Sequence, residues 1–116
     1  MAANHKATVE AVNAAFSAND MEAFLELCTD DIEMGVVGKN VSKGKEALLK
    51  DMSDTSWNPP VIGVTDILID GDRAVCHGIM QMDKKDGEAH QYGYADCYTF
   101  RGDKISAIQV YMHEIK

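Results

Sequence analysis

Asn58-Pro59-Pro60 divides this chain into two stretches with different hydrophobic periods, which restricts it to folds where helices come first and a sheet follows. Upstream, Val9, Val12 and Phe16 recur at i, i+3 and i+7, and Met21, Phe24, Leu25 and Cys28 resume the helical spacing after a break at Asn19-Asp20. Glu22 stands three residues after Asn19, as in a capping box that opens a second helix. Ile32 to Val37 reads as a short strand, and Gly44 opens a third helix with Leu48, Leu49 and Met52 on one face. Ser53 to Pro60 reads as a loop, because its two prolines cannot continue the helix. Downstream, four strand-like runs (Val61–Ile69, Arg73–Asp83, Glu88–Arg101 and Lys104–Ile115) are separated by Asp70-Gly71, Asp86-Gly87 and Gly102-Asp103. Asp and Gly accept the positive φ of a tight turn, so the runs read as a meander. Long antiparallel strands beside only three helices predict an α+β domain whose sheet curves strongly around them.

The 116 residues fit a single domain, 1–116, and 46% of them are hydrophobic, enough for a core without disulfides or metal. Formal charge is −8, with no basic half, so nucleic acid and anionic membrane surfaces are excluded as partners. Cys28, Cys76 and Cys97 are odd in number and lack CxxC spacing, which argues against a disulfide framework or zinc knuckle and for a reducing, cytoplasmic setting. No signal core or membrane span is seen. His5, His77, His90 and His113 have no metal-ligand spacing, and no phosphate loop, nucleophile elbow or dinucleotide fingerprint is present. No metal or organic cofactor is expected.

Four ordered stretches, Asn19-Asp20-Met21-Glu22-Ala23-Phe24, Thr29-Asp30-Asp31-Ile32, Gly44-Lys45-Glu46-Ala47-Leu48, and Asp96-Cys97-Tyr98-Thr99-Phe100 with Ile105 to Glu114, resemble the nuclear transport factor 2-like superfamily. The nearest branches are the SnoaL-like polyketide cyclases and the ketosteroid isomerases. The resemblance implies a cone-shaped, cystatin-like roll with a pocket between sheet and helices. It places Asp96 on the isomerases' oxyanion-hole aspartate, an acid that donates a hydrogen bond to a developing enolate when protonated. The isomerase general base falls on Gly35 and its helix tyrosine on Val12, so steroid isomerase activity is not expected. The cyclases rely on a single pocket aspartate, a role that Asp96 matches.

Strand register can be argued separately. A two-residue turn at Asp86-Gly87 sets His77 opposite Asp96, Ile79 opposite Tyr94 and Gln81 opposite Tyr92. One face of the sheet then carries Val75, His77, Ile79 and Gln81 with Tyr92, Tyr94, Asp96 and Tyr98, as an aromatic pocket wall. Cys76, Met80, Met82 and Cys97 take the other face. On the last strand, a two-residue turn at Gly102-Asp103 would turn Gln109, Tyr111 and His113 inward. The continuously apolar set Ile108, Val110 and Met112 is preferred as the inward one, which requires a bulge or a longer loop. Val12 and Phe16 from the first helix and Trp57 at the rim complete the expected lining.

Asp96 and His77 are the candidate catalytic residues, weighed against a plain structural hydrogen bond between them. The tyrosines and Trp57 serve core packing as readily as ligand binding. Two further readings stand beside an isomerase- or cyclase-like enzyme acting on a small hydrophobic carbonyl compound: a non-catalytic ligand-binding module, and a dimeric interaction module. Outward Met80, Met82 and Tyr111 predict a homodimer through the outer sheet face. His77 on that outer face, or Asp96 sealed from every cavity, would remove the enzymatic reading.

Overall fold

Asn4 starts α1 (His5–Ser17) by accepting the Ala7 N–H on its side chain at 3.0 Å. Asp20 does the same for α2 (Met21–Glu26) through the Ala23 N–H at 3.1 Å. Asn19, expected to share that role, instead takes the left-handed turn between the helices, at φ 56°. The computed structural model describes residues 4–39, 41–51 and 58–115, so Trp57 and Met52 lie outside the described residues.

The helix stripe does not run on to Cys28: β1 (Cys28–Val36) begins there, longer than the expected strand, and β2 (Val41–Lys43) pairs back on it. After α3 (Lys45–Asp51) come β3 (Val61–Asp70), β4 (Arg73–Asp83), β5 (Ala89–Arg101) and β6 (Lys104–Glu114), within a residue of the sequence expectation at each end. The six strands form one curled, unclosed sheet in the order β2-β1-β6-β5-β4-β3. Four of its pairings are antiparallel, whereas β1 runs parallel to β6. That parallel pair has no hairpin to announce it in the sequence, since more than half of the chain separates its two strands.

Val9, Val12 and Ala15 of α1, with Phe24 of α2, are buried against Ile32, Tyr98, Phe100, Ile105 and Ile108 of the sheet. At the closed end of the roll, the His5 ring stacks on Phe100 with centroids 3.8 Å apart. One His5 ring nitrogen lies 3.1 Å from the Gly71 carbonyl and the other 3.3 Å from that of Gly102. The first helical residue thereby holds two hairpin turns.

The register of the β4–β5 hairpin differs from the expected one. Cys76, not His77, is paired with Asp96; His77 faces Ala95, Ile79 faces Gly93 and Gln81 faces Gln91. The cause is the loop. Lys84 pairs with Glu88 through an N–H···O bond of 2.7 Å, and Gly87 closes the turn onto the Lys84 carbonyl at 2.9 Å. Lys85-Asp86-Gly87 is therefore a three-residue loop, with Gly87 at φ 99° supplying the left-handed position such a loop requires. The extra loop residue moves every β4 side chain to the opposite face from the one expected.

In the β5–β6 hairpin the expected bulge is present, between Thr99 and Phe100, and Ile108, Val110 and Met112 share a face with Tyr98, Asp96 and Tyr94. A second bulge lies on the edge strand β3, between Val64 and Asp66. There Gly63 and Gly78 approach so closely that a Cβ on Gly78 would run into the Gly63 carbonyl.

Candidate functional site

A cavity of about 320 Å³ opens between the helices and the concave face of the sheet. Phe16, Asn19 and Met21 contribute from the helices, Met34 and Val36 from β1, and Asn58, Pro59 and Pro60 from the loop before β3. Ile62 of β3, Met80 and Met82 of β4, Tyr94 and Asp96 of β5, and Val110 and Met112 of β6 complete the wall. Five methionines thus surround one cavity. Unbranched and polarisable, their side chains adjust to a ligand's shape at low cost.

Among the described residues of this wall, Asp96 is the one carboxyl and none is cationic. Burial alone pushes its pKa from the ordinary 3.8 up to about 7. No hydrogen bond or ion pair to it occurs among the described residues, so nothing offsets the cost of its charge. Near neutral pH it therefore holds a proton about half the time and presents an O–H donor to the cavity.

Tyr94 is held differently. Its hydroxyl donates to the Gly63 carbonyl at 2.9 Å, its side chain crossing β4 at Gly78, where no side chain blocks it. The Cys76 sulfur lies 3.8 Å from that hydroxyl and accepts a 3.6 Å bond from the Asn13 amide of α1. Burial foremost, then Cys76 and Asp96, hold the Tyr94 proton on well above its ordinary pKa. Tyr94 acts here as a wall strut and not as an acid.

Of the sequence-derived lining, Phe16, Tyr94, Val110 and Met112 stand in the cavity wall with Asp96. Val12, Tyr98 and Ile108 are buried core beneath it. Tyr92 shares the inner face but is not part of the wall. Val75, Ile79 and Gln81 follow the corrected register to the outer face, as does His77, which lies in a shallow depression with Tyr111 and His113. The expected His77–Asp96 pair does not exist, and the enzymatic reading built on it falls.

Met80 and Met82, expected outside, are in the wall. The sequence did hold a signal for them. Ala74, Cys76, Met80 and Met82 form the continuously apolar set of β4, whereas His77 and Gln81 interrupt the other. Gly35 lies between the wall residues Met34 and Val36, so a side chain there would point out of the cavity.

The family model for the SnoaL-like domain matches residues 9–108. Among solved structures, an NTF2-like protein of unknown function from Burkholderia pseudomallei superposes with TM-score 0.84 at 14% identity, covering 97% of this chain and 92% of that one. An LEH-like epoxide hydrolase from M. tuberculosis gives 0.79 at 17% identity, with coverages of 91% and 80%. A putative SnoaL-like polyketide cyclase from Jannaschia sp. CCS1 gives 0.78 at 12% identity, with coverages of 90% and 84%. No curated protein matches the chain in sequence.

Proposed function

Starting from the fact that the chain belongs to the SnoaL-like domain family, we propose that it binds a small hydrophobic carbonyl compound in the cavity, anchored by Asp96. The observation that carries this reading is a buried carboxyl, unpartnered among the described residues, in a wall whose other described side chains are thioether, aliphatic and aromatic groups with the amides of Asn19 and Asn58. Such a group donates a hydrogen bond to a carbonyl oxygen, while the apolar wall takes the hydrophobic body of the ligand. No metal or organic cofactor is needed for this recognition.

A second reading, proton transfer, is favoured by the position of the Asp96 pKa. A single carboxyl near neutrality takes a proton from an acidic carbon as carboxylate and returns it elsewhere on the same molecule as acid. That a putative polyketide cyclase and an LEH-like epoxide hydrolase share the fold supports an enzymatic use of the cavity. The described residues of the wall offer no second acid or base, so a strong carbon acid such as a β-dicarbonyl is the substrate class that fits.

The test is a panel of aromatic and alicyclic β-dicarbonyls, followed by calorimetry and by proton-exchange NMR. Binding that weakens at least tenfold in Asp96→Asn, with His77→Ala unchanged, supports the anchor. Proton exchange catalysed by the wild type and lost in Asp96→Asn adds the enzymatic reading. Ligand binding indifferent to Asp96→Asn removes both.

The outer face exposes Leu68, Ile79 and Tyr111, about half of each side chain being accessible (55%, 50% and 48%). These residues, in place of Met80 and Met82, support the proposed homodimer through this face. A monomer mass by light scattering at micromolar concentration would refute it. The free Cys28, Cys76 and Cys97 fit a reducing, cytoplasmic setting.

A further inference from the structure

Among the described residues the Tyr98 hydroxyl is buried without a hydrogen-bond partner, and Asp96, two residues away on the same face of β5, makes no hydrogen bond either. Tyr98 is 1% exposed, so its hydroxyl is out of reach of bulk water. A buried hydroxyl without an acceptor destabilises the fold, and a Phe in its place would avoid that cost.

The surrounding polar groups are already committed. Cys28 of β1 donates its thiol hydrogen to the Phe24 carbonyl at 3.4 Å. Cys76 of β4 is held by Asn13 of α1, and Tyr94 of β5 donates to Gly63 of β3. The β6 residues opposite Asp96 and Tyr98, Val110 and Ile108, carry no polar side-chain atom. The other buried hydroxyl, that of Thr29, serves Asp31, which leaves Tyr98 as the free donor two residues from Asp96 on the same strand face.

We propose that Tyr98 is a positioning residue for Asp96, its hydroxyl receiving the Asp96 carboxylate whenever Asp96 gives up its proton. The protonated acid faces the cavity as a donor; on losing the proton, the side chain turns toward the hydroxyl lying deeper in the core. The titratable groups around the pair are Cys76, Tyr94 and Cys28, none of them a cation, so no other charge-assisted donor competes. After burial, the nearby Asp96 charge is the largest influence keeping the Tyr98 proton in place, so the hydroxyl remains a donor as Asp96 ionises. The arrangement limits how far desolvation drives Asp96 toward permanent neutrality, and keeps it able to release as well as hold a proton.

This inference rests on Asp96 as the titrating group of the cavity, and the experiment separates the two. Asp-labelled protein is titrated by carboxyl-carbon NMR, with Asp96→Asn assigning the signal. In Tyr98→Phe the Asp96 midpoint should rise by about one pH unit, a tenfold tighter hold on the proton. Stability at pH 5 should stay level or increase, since the orphaned hydroxyl is gone. A second measurement, independent of how that variant folds, follows the Tyr98 ring carbon bonded to oxygen in otherwise wild-type protein. It should shift with the Asp96 midpoint and stay flat in Asp96→Asn. An Asp96 midpoint near 7 that ignores Tyr98→Phe, with a flat Tyr98 signal, overturns the positioning role and spares Asp96. An Asp96 ionised throughout pH 5–8 overturns both.

Discussion

The β4–β5 and β5–β6 hairpins share a strand, and both carry an Asp/Gly turn that suggests a two-residue connection. They reach the same inner face by different devices. In β5–β6 the connection is indeed two residues, Arg101 pairing with Lys104, and the one-residue offset is taken up by a bulge at Thr99–Phe100. In β4–β5 the strands pair without interruption and the offset is taken up in the loop, which uses Lys85 as well as Asp86 and Gly87. The turn dipeptide settled neither register. In both hairpins the continuously apolar set faces the core, and turn or bulge adjusts to let it.

The largest expected effect breaks the comparison outright. Cys76 is fully buried opposite Asp96, and Cys97 lies one position further along β5 on the outer face. Cys76→Asp should cost about 3–5 kcal/mol or abolish folding, while Cys97→Asp should cost under about 1 kcal/mol by urea denaturation. Equal costs would mean that the corrected register is wrong.

Next comes Asp96 itself. Its folded-state pKa of about 7 lies above the ordinary 3.8, so the folded state holds this proton more tightly than the unfolded chain does. The associated stability is present in acid and is lost as pH rises from about 4 to about 7. Asp96→Asn should therefore be more stable than wild type at pH 8 by roughly 2–4 kcal/mol, after allowing for screening by water in the cavity, and nearly equal to it at pH 4. Parallel pH profiles for the two proteins would contradict the raised pKa.

Two smaller effects sharpen the role of the loop. Gly87→Ala places a side chain at φ 99° and should cost about 1 kcal/mol. Deleting Lys85 leaves Asp86-Gly87 as a two-residue turn between Lys84 and Glu88, which are paired already. If the strands set the register, this deletion should change stability by less than about 1 kcal/mol and leave the inner face intact. A loss of several kcal/mol would return control of the register to the loop.

These hairpins also explain what the sequence revealed. Apart from the short β2, the order of helices and strands, the curled sheet and the inward Ile108, Val110 and Met112 were legible, because period and apolar continuity are local properties. Asp96 was legible through the motif that carries the family likeness. The methionine lining of β4 was missed because the turn signal was weighed above the apolar continuity of Ala74, Cys76, Met80 and Met82. The parallel β1–β6 pairing and the orphaned Tyr98 hydroxyl depend on contacts across nearly the whole fold, and neither has a local signature.

The bulge on β3 has a consequence for how the molecule meets copies of itself. β3 is an open edge, and Val61, Val64, Leu68 and Ile69 along it are exposed, a composition that invites a foreign strand to zip on. The irregularity between Val64 and Asp66 interrupts the spacing of its outward N–H and C=O groups, and the Asp66 carboxylate accepts the Ile67 N–H at 2.8 Å. A ten-residue edge is thereby cut into two short pieces with a negative charge at the joint. Each piece is shorter than the roughly six or seven residues of a fibril-forming segment, which disfavours a continuous ladder along this apolar rim.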